Sequence, residues 1–586
     1  MRPLGKKALL VHFAHSVSCG TRVAMPWLRA LLVAFCFLHL AAGEATSPAV
    51  SPASACKSSF YPKLCLALLW PLRRTPSNQY EYGKYSVRQA LRHARRTAAL
   101  LDRYLSGGRG AGGGGALEDC RALAGLSAEY LAEVQAELGP SRGRPEASAN
   151  GRVRALMSAV VTNQQTCYDG LLASLNGGFP ELQRALDDGA QLYGVSLGLV
   201  TTALGRSSSG FNAGQFFQLV FQLAMANVLC FLGPSSSIGP SSPVPVSSPS
   251  TPGRSLVEEL SQMVPVRLSE SPGVKVFQDG KGDFTTVSEA VAFAPNDTAA
   301  AVAGYFAVYV SEGVYRENVI VPANKRNLIL IGAGINRTVI TSNHSVGDGW
   351  TTFNSATFAV NGERFIAVGI TFENTAGPAK YQAVAVRNSA DLSIFYRCSF
   401  VGYQDTLYVH TLRQFYRDCD VYGTVDFIFG NAAAVFQNCN LYARRPLPGQ
   451  SNVVTAQGRT MPEQATGISI HNCTVRATPE ISRGAAKTFL GRPWKAYSRT
   501  VVMQSFIDAA VDPAGWLEWT GGFALDTLYY GEFRNYGPGA TTGGRVKWPG
   551  FSLMSAMDAC NFTLYNFTTT DTWLSSTSIP YNSGLF

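Results

Sequence analysis

Residues 397–430 read R-C-S-F-V-G-Y-Q-D-T-L-Y-V-H-T-L-R-Q-F-Y-R-D-C-D-V-Y-G-T-V-D-F-I-F-G. Two residue types recur within this stretch. Cys398 returns as Cys419, and Asp405 returns as Asp426 after an equal step along the chain. A step shared by a thiol and a carboxyl group indicates a structural repeat.

The repeat extends beyond this stretch in both directions. N-C-N-L places Cys439 after a nearly equal step, N-C-T-V places Cys473 after a longer one, and G-I-T-F at 369–372 is an earlier copy without a cysteine. Each copy is a short run of alternating apolar residues bounded by Gly, Asn or Asp, which is typical of β-strands. A repeat of about 20 residues indicates a solenoid. We therefore predict a mainly β fold in this part of the chain, a right-handed parallel β-helix.

Stacked coils would bring the two repeated aspartates together. Equivalent positions on neighbouring coils lie about 4.8 Å apart, so Asp405 and Asp426 are expected to form a close pair. Two carboxyl groups that close do not both ionise readily, and one becomes an acid while the other becomes a base or nucleophile. The alternative is that both are turn residues that face water.

The same stacking brings the coil cysteines within the Cα separation of a disulfide. Cys398 could pair with Cys419 and Cys439 with Cys473, or Cys419 could pair with Cys439 instead. The spacing leaves these alternatives open.

The chain is long enough for more than one domain, with 586 residues, 46% hydrophobic and 15% charged. Residues 50–232 lack the strand repeat and contain stretches with the apolar spacing of amphipathic helices, which predicts an all-α bundle. Residues 233–266 are a Ser/Pro-rich linker and a possible processing region. Residues 267–586 form the β-helix domain.

Four cysteines in the helical region are disulfide candidates. Pairing Cys56 with Cys65 would staple an N-terminal hairpin, and pairing Cys120 with Cys167 would join two helices, although other connectivities stay open.

The N-terminus predicts export. Basic residues precede an apolar run from Leu31 to Ala42, so residues 1–43 are interpreted as a signal peptide, with a signal anchor as the alternative. Twelve cysteines and six Asn-x-Ser/Thr triplets suit a secreted glycoprotein with disulfide bonds. The triplets begin at Asn296, Asn336, Asn343, Asn472, Asn561 and Asn566.

The net charge of +10 is unevenly distributed. Residues 1–266 hold 24 Lys and Arg against 15 Asp and Glu, a balance of +9, whereas residues 267–586 hold 25 against 24, a balance of +1. Attraction to an acidic substrate by the β-helix must therefore be local to a groove.

Polar residues around the aspartate pair favour acyl transfer. Gln404 adjoins Asp405, and Gln382 falls on the preceding coil, so two neutral amides could stabilise an oxyanion. Farther on, L-G-R-P-W supplies Arg492, which could keep one aspartate ionised, and Trp494, which could stack on a sugar ring. The alternatives are a solvated turn arginine and a core tryptophan.

Five blocks in order resemble the plant pectin methylesterase (pectinesterase) family, and they cover most of residues 270–586. The blocks are G-V-Y-R-E at 313–317, Q-A-V-A-V at 382–386, G-Y-Q-D-T-L-Y at 402–408, D-F-I-F-G at 426–430 and L-G-R-P-W at 490–494. The helical region, with C-K-S-S-F-Y-P-K-L-C and T-N-Q-Q-T-C-Y-D-G-L, resembles the pectin methylesterase inhibitor domain that precedes many such enzymes.

The resemblance implies a carboxylic ester hydrolase that removes C6 methyl esters from homogalacturonan (pectin) and releases methanol. It implies Asp426 as nucleophile, Asp405 as proton donor and general base, and Gln404 and Gln382 as oxyanion stabilisers. Thr352, Gln382, Arg492 and Trp494 would contact substrate or hold the site, and the helical module would be autoinhibitory.

The resemblance also sets expectations for cofactors and partners. We expect no metal or organic cofactor, no nucleic acid partner, no stable membrane span and a monomer, secreted to the cell wall. One departure concerns processing, because a clean dibasic cleavage motif is missing and the nearest stretches are G-R-S-L at 253–256 and P-V-R-L-S-E at 265–270.

Three other interpretations compete with this one. G-V-S-L-G at 194–198 matches the serine-hydrolase elbow but falls in a helical region with no preceding strand. A β-helix glycosidase would use a similar carboxylate pair, and a lyase would need acidic calcium ligands. An inhibitor attached to an inactive β-helix is the non-enzymatic alternative.

Overall fold

The computed structural model describes residues 49–74, 77–107, 114–139, 147–174, 179–205, 271–298, 304–481, 486–569 and 573–586. The predicted signal segment, the Ser/Pro-rich linker and both candidate processing stretches lie outside these residues. In the part of the chain that is described, no helix is long and apolar enough to cross a bilayer.

The helical region is an antiparallel bundle, as the apolar periodicity indicates. The helices are α1 (Pro52–Cys56), α2 (Pro62–Leu69), α3 (Gln79–Ser106), α4 (Gly114–Glu137), α5 (Ala147–Ser174) and α6 (Pro180–Ala203). Asn78 caps α3, because its side chain accepts a hydrogen bond from the Glu81 N–H, 2.9 Å away. Disulfides join Cys56 to Cys65, between α1 and α2, and Cys120 to Cys167, between α4 and α5.

The second region is a parallel β-helix built from three long sheets. The first sheet contains β1 (Gly273–Val276), β2 (Phe306–Val310), β5 (Leu328–Gly332), β8 (Ile366–Val368), β11 (Ser393–Tyr396), β14 (Arg413–Arg417), β17 (Ala433–Gln437), β20 (Gly467–His471), β23 (Arg499–Met503), β25 (Tyr529–Phe533) and β26 (Phe551–Leu553). The second contains β4 (Val319–Val321), β7 (Phe358–Val360), β10 (Val386–Asn388), β13 (Leu407–Val409), β16 (Ile428–Gly430), β19 (Asn452–Gln457) and β22 (Thr488–Pro493). The third contains β3 (Gly313–Arg316), β6 (Thr338–Ser342), β9 (Thr371–Asn374), β12 (Ser399–Val401), β15 (Asp420–Gly423), β18 (Asn440–Ala443), β21 (Thr474–Ala477) and β24 (Phe506–Ile507).

The register of the strands confirms the period read from the cysteines. Ser393 of β11 pairs with Gln414 of β14, and this interval equals the one from Cys398 to Cys419. Arg413 pairs with Ala433, and Ala433 pairs with Gly467, at the two intervals that lead to Cys439 and then to Cys473. Each coil therefore repeats the path of the previous one, and insertions are confined to loops.

A left-handed corner explains why Asp or Asn precedes three of the four coil cysteines. Arg397, Asp418, Asn438 and Asn472 have φ between 51° and 54°, and Gly369 occupies the corresponding corner with φ 65°. Asn, Asp and Gly tolerate this conformation better than other residues, so they recur at the turn from the first sheet to the third.

The predicted coil disulfides are absent from the structure, which is a correction to the sequence-based expectation. Cys398, Cys419, Cys439 and Cys473 are buried free thiols. Their Sγ atoms donate to backbone carbonyls instead, for example from Cys419 to Phe395 at 3.3 Å. Cys419, Cys439 and Cys473 each donate to one carbonyl of their own coil and one of the preceding coil, and Cys398 donates to the Tyr396 carbonyl of its own coil.

The interior of the β-helix is a continuous apolar core that is closed at its N-terminal end. Rings stack from coil to coil, as Phe395 does on Tyr416 and Tyr416 does on Phe436, with centroids 5.3 and 4.5 Å apart. Helix α7 (Val287–Phe293) packs its buried residues into this core beside β1, so it caps the stack as expected.

The C-terminal segment packs on the outside of the first sheet. Trp573, Leu574 and Ile579 join an apolar cluster with outward-facing residues such as Ile329 and Phe415. Two short helices, α8 (Ala556–Cys560) and α9 (Leu564–Thr568), precede it. The helical bundle and the β-helix belong to one compact unit.

Candidate active site

The structure places the repeated aspartates on adjacent coils. Asp405 lies just before β13 and Asp426 just before β16, and Leu407 of β13 pairs with Ile428 of β16. The Asp405 N–H donates to the Val425 carbonyl at 3.0 Å. Both aspartates have left-handed backbones, with φ of 63° and 52°. Such strained conformations in non-glycine residues concentrate at functional sites.

Arg492 binds one aspartate of the pair through two hydrogen bonds. Its Nε donates to Asp426 Oδ1 at 2.8 Å, and its Nη2 donates to Oδ2 at 2.7 Å. The bidentate geometry orients the Asp426 carboxylate and supplies a compensating charge. The alternative of a solvated turn arginine is thereby excluded.

The two carboxyl groups have different electrostatic environments. Burial raises the pKa of Asp405 well above its ordinary value, the charge of Asp426 raises this pKa further, and Arg492 lowers it. Burial also raises the pKa of Asp426, but the hydrogen bonds and charge of Arg492 oppose that rise. The pair therefore favours a proton on Asp405 and an ionised Asp426.

Arg492 reaches Asp426 along the outer face of the second sheet. Phe429, Ala456 and Arg492 are register neighbours on β16, β19 and β22. The small Ala456 side chain leaves room above β19 for the guanidinium. On the other side, Tyr408 stacks on Phe429 with ring centroids 4.2 Å apart, so an aromatic floor adjoins the carboxyl pair.

An open cleft of about 490 Å³ lies next to this floor. Its lining includes Trp494 and Trp519. Trp519 stacks under Arg492, with the guanidinium carbon 4.3 Å from the ring centroid, and Trp494 makes an edge contact with Phe429 at 6.0 Å. Both tryptophans are partly exposed.

The two predicted amide residues lie on neighbouring coils at the same edge of the second sheet. The Ala383 N–H donates to the Gln404 carbonyl at 3.2 Å, which sets Gln382 and Gln404 one register step apart. Both side chains are partly exposed. Thr352 is also partly exposed, in the turn that precedes β7.

Two family models match the chain, Pectinesterase over residues 273–571 and Plant invertase/pectin methylesterase inhibitor over residues 51–199. A probable pectinesterase/pectinesterase inhibitor 25 of Arabidopsis thaliana is 48% identical over 545 residues, which cover 91% of this chain and 87% of the relative. This chain belongs to the pectinesterase family. It carries an inhibitor-like module ahead of the esterase module and is a carboxylic ester hydrolase.

Other relatives of this pectinesterase match the esterase module. Pectinesterase 2 of Citrus sinensis is 54% identical over 315 residues, which cover 53% of this chain and 60% of the relative. The solved structure of pectin methylesterase from carrot is 53% identical, with a TM-score of 0.53, and the match covers 54% of this chain and 99% of the carrot chain.

In this pectinesterase, helix α5 of the inhibitor-like module lies along the second sheet. Residues spaced by one helical turn make the contacts, since Thr162 Oγ1 accepts from Asn431 at 2.9 Å and Thr166 Oγ1 hydrogen-bonds His410 Nε2 at 3.0 Å. One turn later, the Asp169 carboxylate lies 2.9 Å from Lys495 Nζ.

Helix α4 of the inhibitor-like module adds a buried polar contact. The Asp119 carboxylate accepts hydrogen bonds from Thr351 and Asn354, the neighbours of Thr352. Burial raises the pKa of Asp119 to about 6, while the Thr351 hydroxyl lowers it. Apolar residues from both modules close around these contacts in one cluster.

Both aspartates of the pair are buried, with exposed fractions of 7% for Asp405 and 5% for Asp426. His410 is buried and hydrogen-bonds both Ser389 and Thr166. Burial lowers its pKa well below the ordinary value, so the imidazole stays neutral.

Sequence reasoning missed Trp519 and Lys495. Lys495 directly follows the L-G-R-P-W block, so the sequence could have placed it near the site. Its ion-pair partner on α5, Asp169, could not be predicted from the sequence. Trp519 lies in a loop with no repeat spacing, and only the tertiary structure places it under Arg492.

Proposed function

We propose that this pectinesterase hydrolyses the C6 methyl esters of homogalacturonan with Asp426 as the nucleophile and Asp405 as the acid and base. The observation that carries the proposal is the asymmetric carboxyl pair, in which only Asp426 receives the two hydrogen bonds of Arg492. A nucleophile must be ionised and a proton donor must be protonated, and this pair favours that distribution.

In the first half of the reaction, an Asp426 oxygen attacks the ester carbonyl and forms a tetrahedral oxyanion. The intermediate collapses as Asp405 transfers its proton to the departing methoxy oxygen, which leaves as methanol. The product is an acyl-enzyme, in which Asp426 and the sugar carboxyl share an anhydride oxygen. Gln382 and Gln404 stabilise the oxyanion by donating from their neutral side-chain amides.

In the second half, water adds to the acyl group while ionised Asp405 takes up its proton. The second tetrahedral intermediate collapses to the sugar carboxylic acid and ionised Asp426, with Asp405 again protonated, and the sugar acid then loses its remaining proton to solvent. Arg492 stabilises the carboxylate of Asp426 as it leaves and holds its orientation for the next cycle. Chain residues supply every proton transfer in this scheme, so we propose no cofactor.

The substrate chain would lie along the aromatic floor and the adjoining cleft. Trp494 and Trp519 offer ring faces to successive sugars, and Thr352 lies at the opposite end of the second sheet, toward β7. Pectin is a polymer, so an open cleft across several coils suits it better than a closed pocket.

The inhibitor-like module would restrain the esterase in the same chain. Helix α5 occupies the face of the second sheet that substrate must reach, through Thr162, Thr166 and Asp169. Access then requires the module to move away or to be removed.

Secretion to the cell wall agrees with the two disulfides and with the glycosylation triplets. The triplet asparagines are exposed except Asn472, whose side chain instead donates to Asn438 at 2.7 Å. We therefore propose glycosylation at the exposed positions, which are Asn296, Asn336, Asn343, Asn561 and Asn566.

Methanol release from methylated pectin tests this function. The assay compares residues 267–586 alone with the full chain, and wild type with Asp426→Asn. We expect the β-helix module to be active, the full chain to be slower, and Asp426→Asn to abolish release while the circular dichroism spectrum stays unchanged. Asp420→Asn is the matched control, because Asp420 lies on the third sheet and should leave the rate unaltered.

Retained turnover in Asp426→Asn would exclude it as the nucleophile. Equal rates for the full chain and the β-helix module would exclude restraint by the helical module.

A further inference from the structure

A second groove lies within the inhibitor-like module, between α2, α3 and α6. It has a volume of about 290 Å³, and all of its lining residues belong to this module. They are Leu64, Leu68, Gln89, Arg92, His93, Arg96, Asp188, Gln191 and Leu192. The esterase mechanism uses none of them.

One wall of the groove carries a row of arginines. Arg88, Arg92 and Arg96 follow at every fourth position along α3, so they lie on one face with a rise of about 6 Å per step. Arg95 extends the same face. Between residues 82 and 101 the sequence contains five Lys or Arg and no Asp or Glu.

These arginines are exposed and lack carboxylate partners within the described part of the chain. The ion pairs of α3 in that part of the chain join other residues. Glu81 pairs with Lys84, Asp102 pairs with Arg121 of α4, and Arg103 pairs with Glu181 of α6. Arg92 donates to Gln89 at 3.5 Å. Four guanidinium groups on one face, without an ion-pair partner among the described residues, outweigh the single carboxylate that lines the groove, Asp188, and create a local positive potential that attracts anions.

The rest of the groove combines apolar and hydrogen-bonding surface. Leu64, Leu68 and Leu192 form an apolar floor, and Gln89 and Gln191 contribute amides. The floor is held in place where α6 approaches α3 closely, because a Cβ atom on Gly189 would lie 3.0 Å from His93 Cε1.

This combination matches an acidic sugar better than a simple anion. A guanidinium pairs with a carboxylate through two parallel hydrogen bonds. Amides and the Asp188 carboxylate can bind hydroxyl groups, since Asp accepts and Gln both donates and accepts. The leucines can pack against the carbon-bound hydrogens of a sugar ring.

We propose that this groove binds a stretch of de-esterified homogalacturonan, an acidic polysaccharide with one carboxylate per sugar. Arg92 and Arg96 bind successive carboxylates, and Asp188 with the two glutamines binds the hydroxyl groups. The choice of this polymer rests on the proposed function, because the esterase would produce it.

The test measures binding of fluorescein-labelled, fully de-esterified decagalacturonate to the full-length protein by anisotropy at low ionic strength. We expect Arg92→Glu with Arg96→Glu to weaken binding by at least about tenfold, since each arginine contributes a charge-assisted bidentate contact. Arg92→Lys with Arg96→Lys keeps the charge but loses the bidentate geometry of the guanidinium. The affinity of this variant should lie between that of the glutamate variant and that of wild type.

The control variant carries Arg316→Glu with Lys547→Glu, which changes the net charge equally at exposed positions of the β-helix. An equal loss of affinity in this control would overturn the proposal, because net charge alone would then explain binding. Equally tight binding of dextran sulfate, a polyanion without carboxylates, would also overturn it.

Hydrogen exchange on the wild-type protein needs no substitution. Decagalacturonate should slow exchange at amides of α2, α3 and α6, and protection confined to the β-helix would refute the groove as the site. Methanol release by the same preparation separates the two proposals, because an active enzyme without this binding refutes only the groove.

Discussion

Replacing Arg492 by glutamine removes the cation that two hydrogen bonds of 2.8 and 2.7 Å join to Asp426. Burial already raises the pKa of Asp426, and Arg492 is the group that opposes this rise. An arginine beside an aspartate lowers its pKa by about 1–3 units, so its loss should raise the Asp426 pKa by a similar amount.

The direction of the effect on activity follows from the required charge. Asp426 must be ionised to attack, so the acidic limb of the pH profile of methanol release should move to higher pH by about 1–3 units in Arg492→Gln. Below the new pKa, each unit of pH lowers the ionised fraction, and with it the rate, about tenfold. Arg492→Lys keeps one charged donor and should shift the limb less.

The assay is kcat/KM for methanol release across pH, on residues 267–586 so that the inhibitor-like module does not limit access. Arg476→Gln is the matched control, because Arg476 is an exposed arginine on the third sheet beside Phe506. An unshifted acidic limb in Arg492→Gln, with only KM changed, would refute the claim that Arg492 keeps Asp426 ionised.

Three further outcomes follow from charged side chains in the site, at the contact with α5 and in the core. Burial raises the pKa of Asp405 on folding, so this carboxyl group stabilises the fold below its unfolded-state pKa, and the contribution is lost as pH rises through its folded-state pKa. The melting temperature of Asp405→Asn should therefore be higher than that of wild type at neutral pH and close to it near about pH 3. Asp169→Lys replaces the 2.9 Å ion pair with Lys495 by repulsion between two cations, which should weaken the contact of α5 with the β-helix. The full chain should then release methanol faster than wild type, and Asp169→Asn should increase the rate by less. Arg545→Met leaves buried Glu532 without its cation and should cost about 3–5 kcal/mol in guanidinium unfolding, and adding Glu532→Leu should restore most of this loss.

The coil geometry was predictable because it is local and repeated. A left-handed corner, a strand and a second corner recur in each coil, so residues with the same structural role recur at the same spacing. This is why Asp405 and Asp426 could be paired from the step that they share with Cys398 and Cys419.

The failure with the coil cysteines shows the limit of that reasoning. A shared period predicts which residues are neighbours, but it does not predict how their side chains are bonded. Cys419 and Cys439 donate to the carbonyls of Phe395 and Tyr416 and remain thiols.

By itself, the sequence determined the β-helix, the carboxyl pair on neighbouring coils and the candidate roles of Gln382, Gln404 and Arg492, because each follows from a repeat or an ordered motif. Only the tertiary structure decided that Arg492 binds Asp426, that Trp519 lies beneath the guanidinium, and that α5 packs along the second sheet. Those contacts join segments that have no common period, so their meeting depends on how whole elements pack and cannot be read from spacing along the chain.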